Sequence, residues 1–458
     1  MKTSRLVKAL APLTALALNP FAQAEEVVEL PTPTHYTAYQ NSSDKVVAVY
    51  FPDWKIYSDK VEERYAIQQL PVKNVTHIIY AFLSMCGPHE NAGEKIKQQV
   101  KQACEGKEPF TAIVVDQNAA LKARFSEKGS GFGYEGHFAE MKKLVQQNPE
   151  LVILPSFGGW SMSEPFHAMA QSEKGRKTFV KTAVELIEKY DFFGGIDIDW
   201  EYPGGEDNSH VAWRKTSLTE QQKQHERDVY TLLMKEFRSE LDKLSKRKNR
   251  KYELSAAVNG TYDKVQAIDW KATEQYMDHI FAMTYDFFGG WGAQVGHHSS
   301  LHATQDSLWG MGADALIKNL SEAGVPKSKL VLGAAFYGRG WEKVTWENDT
   351  FPEQGKNGVK HSDGTDGELG AFTYIDLKAR YFAQKGYVYR YDEEAEAPYL
   401  YNKDTGGFIT FDDERSIKAK GKYVKEQGLA GIFAWEVSQD DGTLLPAMHK
   451  GLGHKVQK

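Results

Sequence analysis

The feature that most constrains this chain is a run of acids spaced at the period of a β-strand. In the segment FFGGIDIDWEYPGG, residues 192–205, acids occupy alternate positions at Asp197, Asp199 and Glu201. In a strand these acids face one side and the apolar residues between them face the other. Burying neighbouring carboxylates is costly without hydrogen bonds, protons or cations, and like charges raise at least one pKa. The pattern therefore predicts a general acid; a solvated edge strand and a metal site built from carboxylate oxygens are the alternatives.

Composition limits the classes of partner. The 458 residues carry 56 basic and 62 acidic side chains, a formal net charge of -6. This balance gives neither a basic field for nucleic acid nor a polybasic membrane patch, so a neutral partner is predicted. Aromatic residues make up 12% of the chain and include 10 Trp, which suits stacking on the apolar faces of sugar rings.

The first residues have the pattern of a secretory signal peptide, residues 1–24. Basic residues precede an apolar run at 9–18, and Ala22-Gln23-Ala24 is a small-x-small cleavage site. We therefore expect a secreted protein, extracellular or periplasmic. Residues 25–43 are expected to form an extended lead-in.

Cys86 and Cys104 are the two cysteines, and outside the cytoplasm they are expected to form a disulfide, with two free thiols as the alternative.

Short apolar runs recur along the chain and alternate with amphipathic helical stretches. Eight of them are predicted strands: 46–51, 77–83, 151–157, the strand around Asp199, 252–258, 279–284, 330–335 and 431–435. Eight βα units indicate an α/β fold closed into a (β/α)₈ TIM barrel, assigned to residues 44–340 and 412–458. An open doubly wound sheet is the alternative, but no glycine-rich phosphate loop follows the first strand. A long loop at 85–136 follows the second strand, and residues 341–411 are expected to form a small α+β insertion after the seventh.

Residues at the carboxyl ends of barrel strands meet around one cavity, and here they are unusually polar and aromatic. The candidates are Tyr50, Trp54, Ser156, Trp160, Asp197, Asp199, Glu201, Tyr202, Met283, Tyr285, Asp286, Trp291, Tyr337, Arg339 and Trp435. Such a set predicts a stacking groove beside the acids. No histidines at metal-ligand spacing lie beside the acids, so no metal or cofactor is predicted. His297 and His298 are expected to be solvated in a loop.

Four segments resemble glycoside hydrolase family 18. They are SFGGW at 156–160, GIDIDWEYP at 195–203, MTYDFFG at 283–289 and FAWE at 433–436, and the resemblance covers residues 44 to about 450. It implies a chitinase that cuts β-1,4 links between N-acetylglucosamine units with retention, assisted by the substrate's own acetamido group. The expected partners are chitin and chito-oligosaccharides, and the expected state is a monomer.

The resemblance also implies a role for each candidate. Glu201 would protonate the glycosidic oxygen, Asp199 would orient the N-acetyl group, and Asp197 would share a proton with Asp199. Tyr285 and Asp286 would hold the acetamido group. The remaining implied roles are support of the inner aspartates by Tyr50 and Ser156, a sugar floor at Trp435, stacking platforms at Trp54, Trp160 and Trp291, a polar contact at Arg339, and cleft lining by Tyr202, Met283 and Tyr337.

Two alternatives and one departure accompany the resemblance. An endo-β-N-acetylglucosaminidase acting on glycoprotein glycans belongs to the same family, and a chitin-binding lectin can use the same barrel. Such lectins typically lack the terminal acid, which is present here as Glu201. The family pattern is D-x-x-D-x-D-x-E, and Gly194 stands at its first acid. We expect this change to alter stability or proton affinity without abolishing activity.

Overall fold

The computed structural model describes residues 27–205, 218–304, 310–345, 358–365, 368–382 and 386–457. The predicted signal peptide, residues 1–24, lies outside them. Residues 28–38 of the lead-in have no regular secondary structure, and they are followed by a short strand, Tyr39–Gln40, which pairs antiparallel with Lys455–Val456. Of the helices in these ranges, none combines the length and apolar character needed to cross a bilayer.

Eight parallel strands close into a barrel, and this confirms the predicted fold. They are β1 (Val46–Pro52), β2 (His77–Met85), β3 (Val152–Gly158), β4 (Gly195–Asp199), β5 (Glu253–Val258), β6 (His279–Ala282), β7 (Leu330–Ala335) and β8 (Gly431–Trp435). Each strand pairs with the next in chain order, and β8 pairs with β1 to close the ring. All strand carboxyl ends therefore open on the same face.

Alternation along the strands separates two apolar layers. On β1, Val47, Val49 and Phe51 belong to the large core between barrel and helices, whereas Ala48 and Tyr50 belong to a smaller cluster inside the barrel. The same period places the apolar residues of β4 in the outer core and leaves its acids to the interior. The barrel thus has an apolar outer face and a partly polar interior.

Helices cover the outside of the barrel. Those of the described residues are Glu94–Ala103, Gln117–Leu121, Gly136–Gln147, Glu164–Ala170, Glu173–Lys189, Glu220–Lys248, Tyr262–Gln266, Trp270–Thr273, Ala313–Ala323, Glu414–Gln427 and Leu444–Leu452. The longest begins at a capping box of Thr219 and Gln222 and ends at Asn249, which has a left-handed conformation at φ 49°. Its last turn carries three basic residues that complement the helix dipole.

The long loop after β2 holds both cysteines. Ala112–Val114 in this loop pairs antiparallel with the end of β2. Cys86 and Cys104 form a disulfide with their Cα atoms 5.6 Å apart. The bond joins the end of β2 to the helix Glu94–Ala103, so this loop is tied to the carboxyl-terminal face of the barrel.

An antiparallel sheet with a short helical segment is inserted after β7. Its strand order is Val359–Lys360, Tyr337–Glu342, Gly407–Phe411, Ala397–Asn402 and Tyr387–Asp392, and Ala371–Thr373 also pairs with Tyr337–Glu342. The helical segment comprises Tyr374–Asp376 and Leu377–Tyr381. The first strand of this sheet, Tyr337–Glu342, begins before residue 341, where the insertion was expected to start. Only Phe336 separates this strand from β7.

A buried ion pair fastens the insertion where the chain returns to the barrel. Lys420 and Asp412 are fully buried and in contact. The same carboxylate accepts hydrogen bonds from Ser299 Oγ at 2.8 Å and from the Ala335 backbone N–H at 3.0 Å. One carboxylate thus joins the end of β7, the last strand of the insertion and the helix Glu414–Gln427.

Replacing this lysine is expected to be strongly destabilising. In Lys420→Met the Asp412 carboxylate stays buried without its cation, which typically costs about 3–5 kcal/mol in the free energy of unfolding. Urea unfolding followed by circular dichroism measures the change. Lys418 is exposed on the same helix, so Lys418→Met should stay within about 0.5 kcal/mol of wild type. Equal effects of the two variants would contradict a role for the buried pair.

Candidate active site

Asp197 lies at the centre of the barrel. Its carboxylate is fully buried and accepts hydrogen bonds from Ser156 Oγ at 2.7 Å, Ser255 Oγ at 2.5 Å and the Tyr50 hydroxyl at 3.3 Å. Burial raises the pKa of Asp197, and the three hydroxyl groups oppose that rise. Tyr50 and Ser156 were predicted from the sequence, whereas Ser255 was not, because its β5 segment has the pattern of an ordinary apolar strand.

The end of β4 is held by backbone contacts to the loop after β3. The Asp199 carbonyl accepts hydrogen bonds from the Gly159 N–H at 2.8 Å and from Ser163 Oγ at 3.0 Å. Ser163 Oγ also accepts a hydrogen bond from the Glu201 N–H at 2.9 Å. A Cβ at Gly158 would lie 2.2 Å from the Asp199 carbonyl oxygen, so this approach requires glycine. Ser163 is a buried positioning residue that the sequence analysis did not identify.

A second buried carboxylate fixes the loop that follows Glu201. Glu226, on the helix Glu220–Lys248, accepts a hydrogen bond from the Gly204 N–H at 2.8 Å and lies 2.7 Å from Nδ1 of His167. Lys264 contacts the same loop from the other side, with its ammonium 3.1 Å from the Gly205 carbonyl and 5.0 Å from the centre of the Tyr202 ring. The partly exposed Glu201 therefore lies between a fixed strand end and a fixed loop.

Asp286 and Arg339 form a two-point ion pair beside the acids. Nε and Nη2 of Arg339 lie 2.8 and 2.9 Å from the two carboxylate oxygens of Asp286. Burial opposes ionisation, but the guanidinium holds the pKa of Asp286 well below its usual range. Asp286 has a φ of 58°, in the left-handed region. The carboxylate therefore stays charged, with a fixed orientation.

Tyr285, next to Asp286 in the chain, is a buried residue of the same side of the site. Its ring lies 6.2 Å from that of Tyr337 and 6.0 Å from that of Phe433. Burial and the nearby charge of Asp199 raise the pKa of Tyr285 well above its ordinary value. The hydroxyl therefore remains protonated and able to donate a hydrogen bond. Met283, two residues earlier, is also buried in the interior cluster.

The expectation that His297 and His298 are solvated is wrong. Both are buried, because the loop that carries them packs under the inserted sheet. His297 Nε2 lies 3.1 Å from Asp392, and His298 Nε2 lies 3.2 Å from the Tyr337 carbonyl. Nδ1 of His298 is 3.7 Å from the Asp286 carboxylate, and burial lowers the pKa of this histidine. His298 is thus a buried neighbour of the Asp286 carboxylate.

Two groups of aromatic side chains contact residues of the site. Trp54 and Trp435 lie 6.5 Å apart, and Phe82 stacks on both at 6.2 and 5.7 Å. Trp54, Trp160 and Trp291 are 39%, 41% and 38% exposed, which is unusual for tryptophan. Trp291 also stacks near Arg339, whose guanidinium carbon is 5.2 Å from the ring centre. Trp54 thus lies near Trp435, and Trp291 lies near Arg339. Trp160 lies in the loop after β3. Phe82 was missed because it lies within a strand.

The sequence matches the glycosyl hydrolases family 18 over residues 46–440. The chain belongs to this family. The resemblance inferred from the four short motifs is therefore confirmed, and the match covers the barrel together with its insertion.

Named relatives of this family 18 protein are chitinases. It is 34% identical to "Chitinase A" of Pseudoalteromonas piscicida over 89% of this chain, and it spans 52% of that protein's length. It is 33% identical to a "Probable endochitinase" of Orgyia pseudotsugata multicapsid polyhedrosis virus, covering 89% of this chain and 72% of the viral protein. Among solved structures, a chitinase from Bacillus thuringiensis superposes with a TM-score of 0.77 at 29% identity, covering 91% of this chain and 71% of the other.

Arg339→Lys tests the two-point ion pair of this family 18 site. Lysine keeps the charge but loses the planar fork, so Asp286 should lose its fixed orientation. We expect kcat/KM on a soluble chito-oligosaccharide to fall roughly tenfold, equivalent to about 1.4 kcal/mol. Arg380 forms an exposed pair with Asp363 in the insertion, so Arg380→Lys is the matched control and should leave kcat/KM unchanged. Full activity in Arg339→Lys would show that the fork is dispensable.

Proposed function

We propose that this protein is a secreted chitinase that hydrolyses β-1,4 links between N-acetylglucosamine units with retention, through an oxazolinium ion. The observation that carries the proposal is the row of acids formed by Asp197 and Asp199 of β4 and by Glu201 just beyond the strand. Asp197 and Asp199 are buried in the barrel, whereas Glu201 at the end of the row is partly exposed beside the aromatic side chains. One carboxyl group is therefore accessible for proton transfer, and two are placed to support charge behind it.

Glu201 acts as the general acid. Its proton passes to the glycosidic oxygen as the bond from the anomeric carbon to that oxygen breaks. The carbonyl oxygen of the substrate's own acetamido group bonds to the anomeric carbon and gives the oxazolinium ion. Water then opens this ion, with Glu201 accepting the proton of the water. Ser163 and Glu226 hold the backbone on either side of Glu201 and so keep its orientation.

Asp199 stabilises the positive charge that develops on the acetamido group. The negative charge of Asp199 does this without forming a bond to the sugar. Asp197 shares a proton with Asp199 and is itself held by Tyr50, Ser156 and Ser255. This division of tasks accounts for three acids at and just beyond the end of β4, whereas a conventional retaining glycosidase places two carboxyl groups on opposite sides of the bond.

Tyr285 and Asp286, beside the acids, hold the acetamido group in position. Tyr285 supplies a protonated hydroxyl, and Asp286 supplies a carboxylate fixed by Arg339. Trp435 forms the floor under the sugar that is cut, and the exposed rings of Trp54, Trp160 and Trp291 stack on neighbouring sugars. Tyr202, Met283 and Tyr337 line the space between these contacts. A row of exposed aromatic rings fits an extended uncharged polymer better than a branched glycan.

Release of a chromophore from a chitobiose glycoside tests this function directly. An enzyme with this site should release the chromophore with many turnovers, whereas a chitin-binding lectin on the same barrel would bind the glycoside without release. Reaction products followed by proton NMR should first show the β-anomer, as retention requires. Release of the α-anomer, or binding without turnover, would refute the proposal. Efficient release of N-glycans from a glycoprotein would favour the endo-β-N-acetylglucosaminidase alternative.

A further inference from the structure

Three metal-ligating side chains converge at the end of the barrel opposite to Glu201. His77, Glu253 and His279 are the first residues of β2, β5 and β6, so they lie at the amino-terminal mouth. Nε2 of His77 and Nε2 of His279 lie 3.1 and 3.5 Å from the same oxygen, Glu253 Oε2. One donor atom from each residue lies within 4.8 Å of the others.

The topology shows that these side chains meet inside the barrel. β2 is not a neighbour of β5 or β6 in the closed ring, so a contact from His77 to Glu253 has to cross the interior. The rings of His77 and His279 are 5.4 Å apart and nearly perpendicular, at 86°. This cluster therefore forms the polar bottom of a barrel whose next interior residues, such as Ile79 and Phe281, are apolar.

The spacing of the donor atoms fits a small divalent cation. Bonds of about 2.0–2.2 Å from zinc to nitrogen and oxygen in a tetrahedral arrangement place neighbouring donors about 3.4 Å apart. The two measured separations from Glu253 Oε2 lie close to this value. The three side chains are 8%, 13% and 18% exposed in the order His77, Glu253, His279, so solvent reaches the mouth and a water molecule can supply a fourth ligand.

The Nδ1 atoms of His77 and His279, which face away from Glu253, differ in their contacts. Nδ1 of His77 lies 2.8 Å from Thr76 Oγ1, which contacts the Val47 backbone. This is the outer contact that orients a metal-bound imidazole and fixes its tautomer. Nδ1 of His279 is buried and has no hydrogen-bond partner among the residues that the structure describes.

The charges around the cluster are close to balanced. Lys251 lies 3.5 Å from the other oxygen of Glu253, but it is 69% exposed and is also 2.9 Å from Asp278. Arg238 pairs with the second oxygen of Asp278 at 3.2 Å. The two cations therefore face three carboxylates, Asp278, Glu253 and Asp242, the last of which pairs with Arg238 at 2.8 Å. The long exposed side chain of Lys251 can turn toward solvent when a cation binds.

We propose that His77, Glu253 and His279 bind a divalent transition-metal ion at the amino-terminal mouth of the barrel. Two imidazoles and one carboxylate form a donor set that binds Zn²⁺ in proteins, and the same set also suits Cu²⁺ and Fe²⁺. The ion ties β2 to β5 and β6 across the barrel, so its role is structural. This site is separate from the carboxyl-terminal face where Glu201 lies, and it does not depend on the proposed hydrolytic function.

Zinc binding to the full chain tests the proposal. Protein made without a histidine tag is treated with EDTA, dialysed, and titrated with Zn²⁺ by calorimetry, and its thermal unfolding is measured with and without the metal. We expect one Zn²⁺ per chain with a Kd below about 10 μM. Unfolding should shift upward by at least about 2 °C in excess Zn²⁺, because the ion binds the folded state alone. Titration with Co²⁺ should give the visible absorption of a four-coordinate site.

Variants locate the site within the chain. Glu253→Gln keeps the size of the side chain but removes the anionic ligand, and His279→Asn removes one imidazole. Each should weaken Zn²⁺ binding at least about tenfold and abolish the thermal shift, with a circular dichroism spectrum like that of wild type as evidence of folding. His302, which pairs with Asp314 at 2.9 Å, provides the control His302→Gln, which should bind as wild type does. No stoichiometric Zn²⁺ on the wild-type chain, or unchanged affinity in either site variant, would overturn the proposal.

Discussion

Glu201→Gln is expected to lower kcat on a chitobiose glycoside by at least about a hundredfold, with substrate binding retained. A positioned general acid contributes about 10²–10⁴-fold, and glutamine fills the same space without a transferable proton. The Glu201 backbone is held by Ser163, so the substitution should not move the strand end. Single-turnover kinetics together with calorimetric binding of chitohexaose separate the loss of chemistry from a loss of affinity.

A surface glutamate provides the comparison. Glu173 pairs with Lys177 on an exposed helix face, and Glu173→Gln should leave kcat and KM unchanged. If Glu201→Gln turns over at a rate near wild type, the proton donor lies elsewhere. If it loses binding as well, the substitution has disturbed the cleft rather than the proton transfer.

Removing the acetyl groups of the substrate is expected to have a comparably large effect. If the acetamido oxygen is the nucleophile, fully deacetylated chitosan should bind through stacking yet be cut at least about a hundredfold more slowly than the acetylated polymer, since no enzyme carboxylate replaces the missing group. Product release from matched acetylated and deacetylated hexamers measures this directly. A chitobiose thiazoline, which imitates the oxazolinium ion, should inhibit competitively.

The role of Asp199 provides the test against a covalent mechanism. Asp199 is the last residue of β4 and Glu201 follows it by two residues, and the proposed mechanism places both carboxyl groups on the same side of the sugar. Asp199→Asn should slow the reaction without trapping a sugar on the enzyme, because its charge is needed in the transition state and not for bond formation. A covalent glycosyl-enzyme detected by mass spectrometry would refute the substrate-assisted route.

The barrel could be predicted from the sequence because each strand has a simple local pattern. Runs such as Leu330–Ala335 are short, apolar and bounded by helical segments, so their number alone indicated closure. The start of the insertion was placed too late, since β7 and Tyr337–Glu342 form an almost continuous strand-like run. A boundary of this kind depends on which strands pair, and a single sequence does not contain that information.

The candidate site could be predicted less completely, for a physical reason. Residues that project from strand ends, such as Asp197 and Arg339, can be identified once the strands are known. Ser163, Ser255 and Glu226 act through backbone or carboxylate contacts to segments far away in sequence, and no local pattern distinguishes them. His298 was placed in solvent because its loop is polar, whereas the inserted sheet covers it.

The inserted sheet has a consequence for engineering the cleft. Arg339 lies on the strand Tyr337–Glu342, which pairs with three other strands of the insertion. Excising the insertion would therefore remove the guanidinium that fixes Asp286, and shortening it at Phe411 would disturb the Asp412 and Lys420 junction. The outer hairpin, Tyr387–Asp392 and Ala397–Asn402, pairs with Gly407–Phe411 and touches the supports of both places, because Asp392 contacts His297 and the Tyr389 hydroxyl donates to Asp413. Remodelling this hairpin to change the height of the wall, for longer or shorter chains of sugar, therefore has to keep Tyr389 and Asp392.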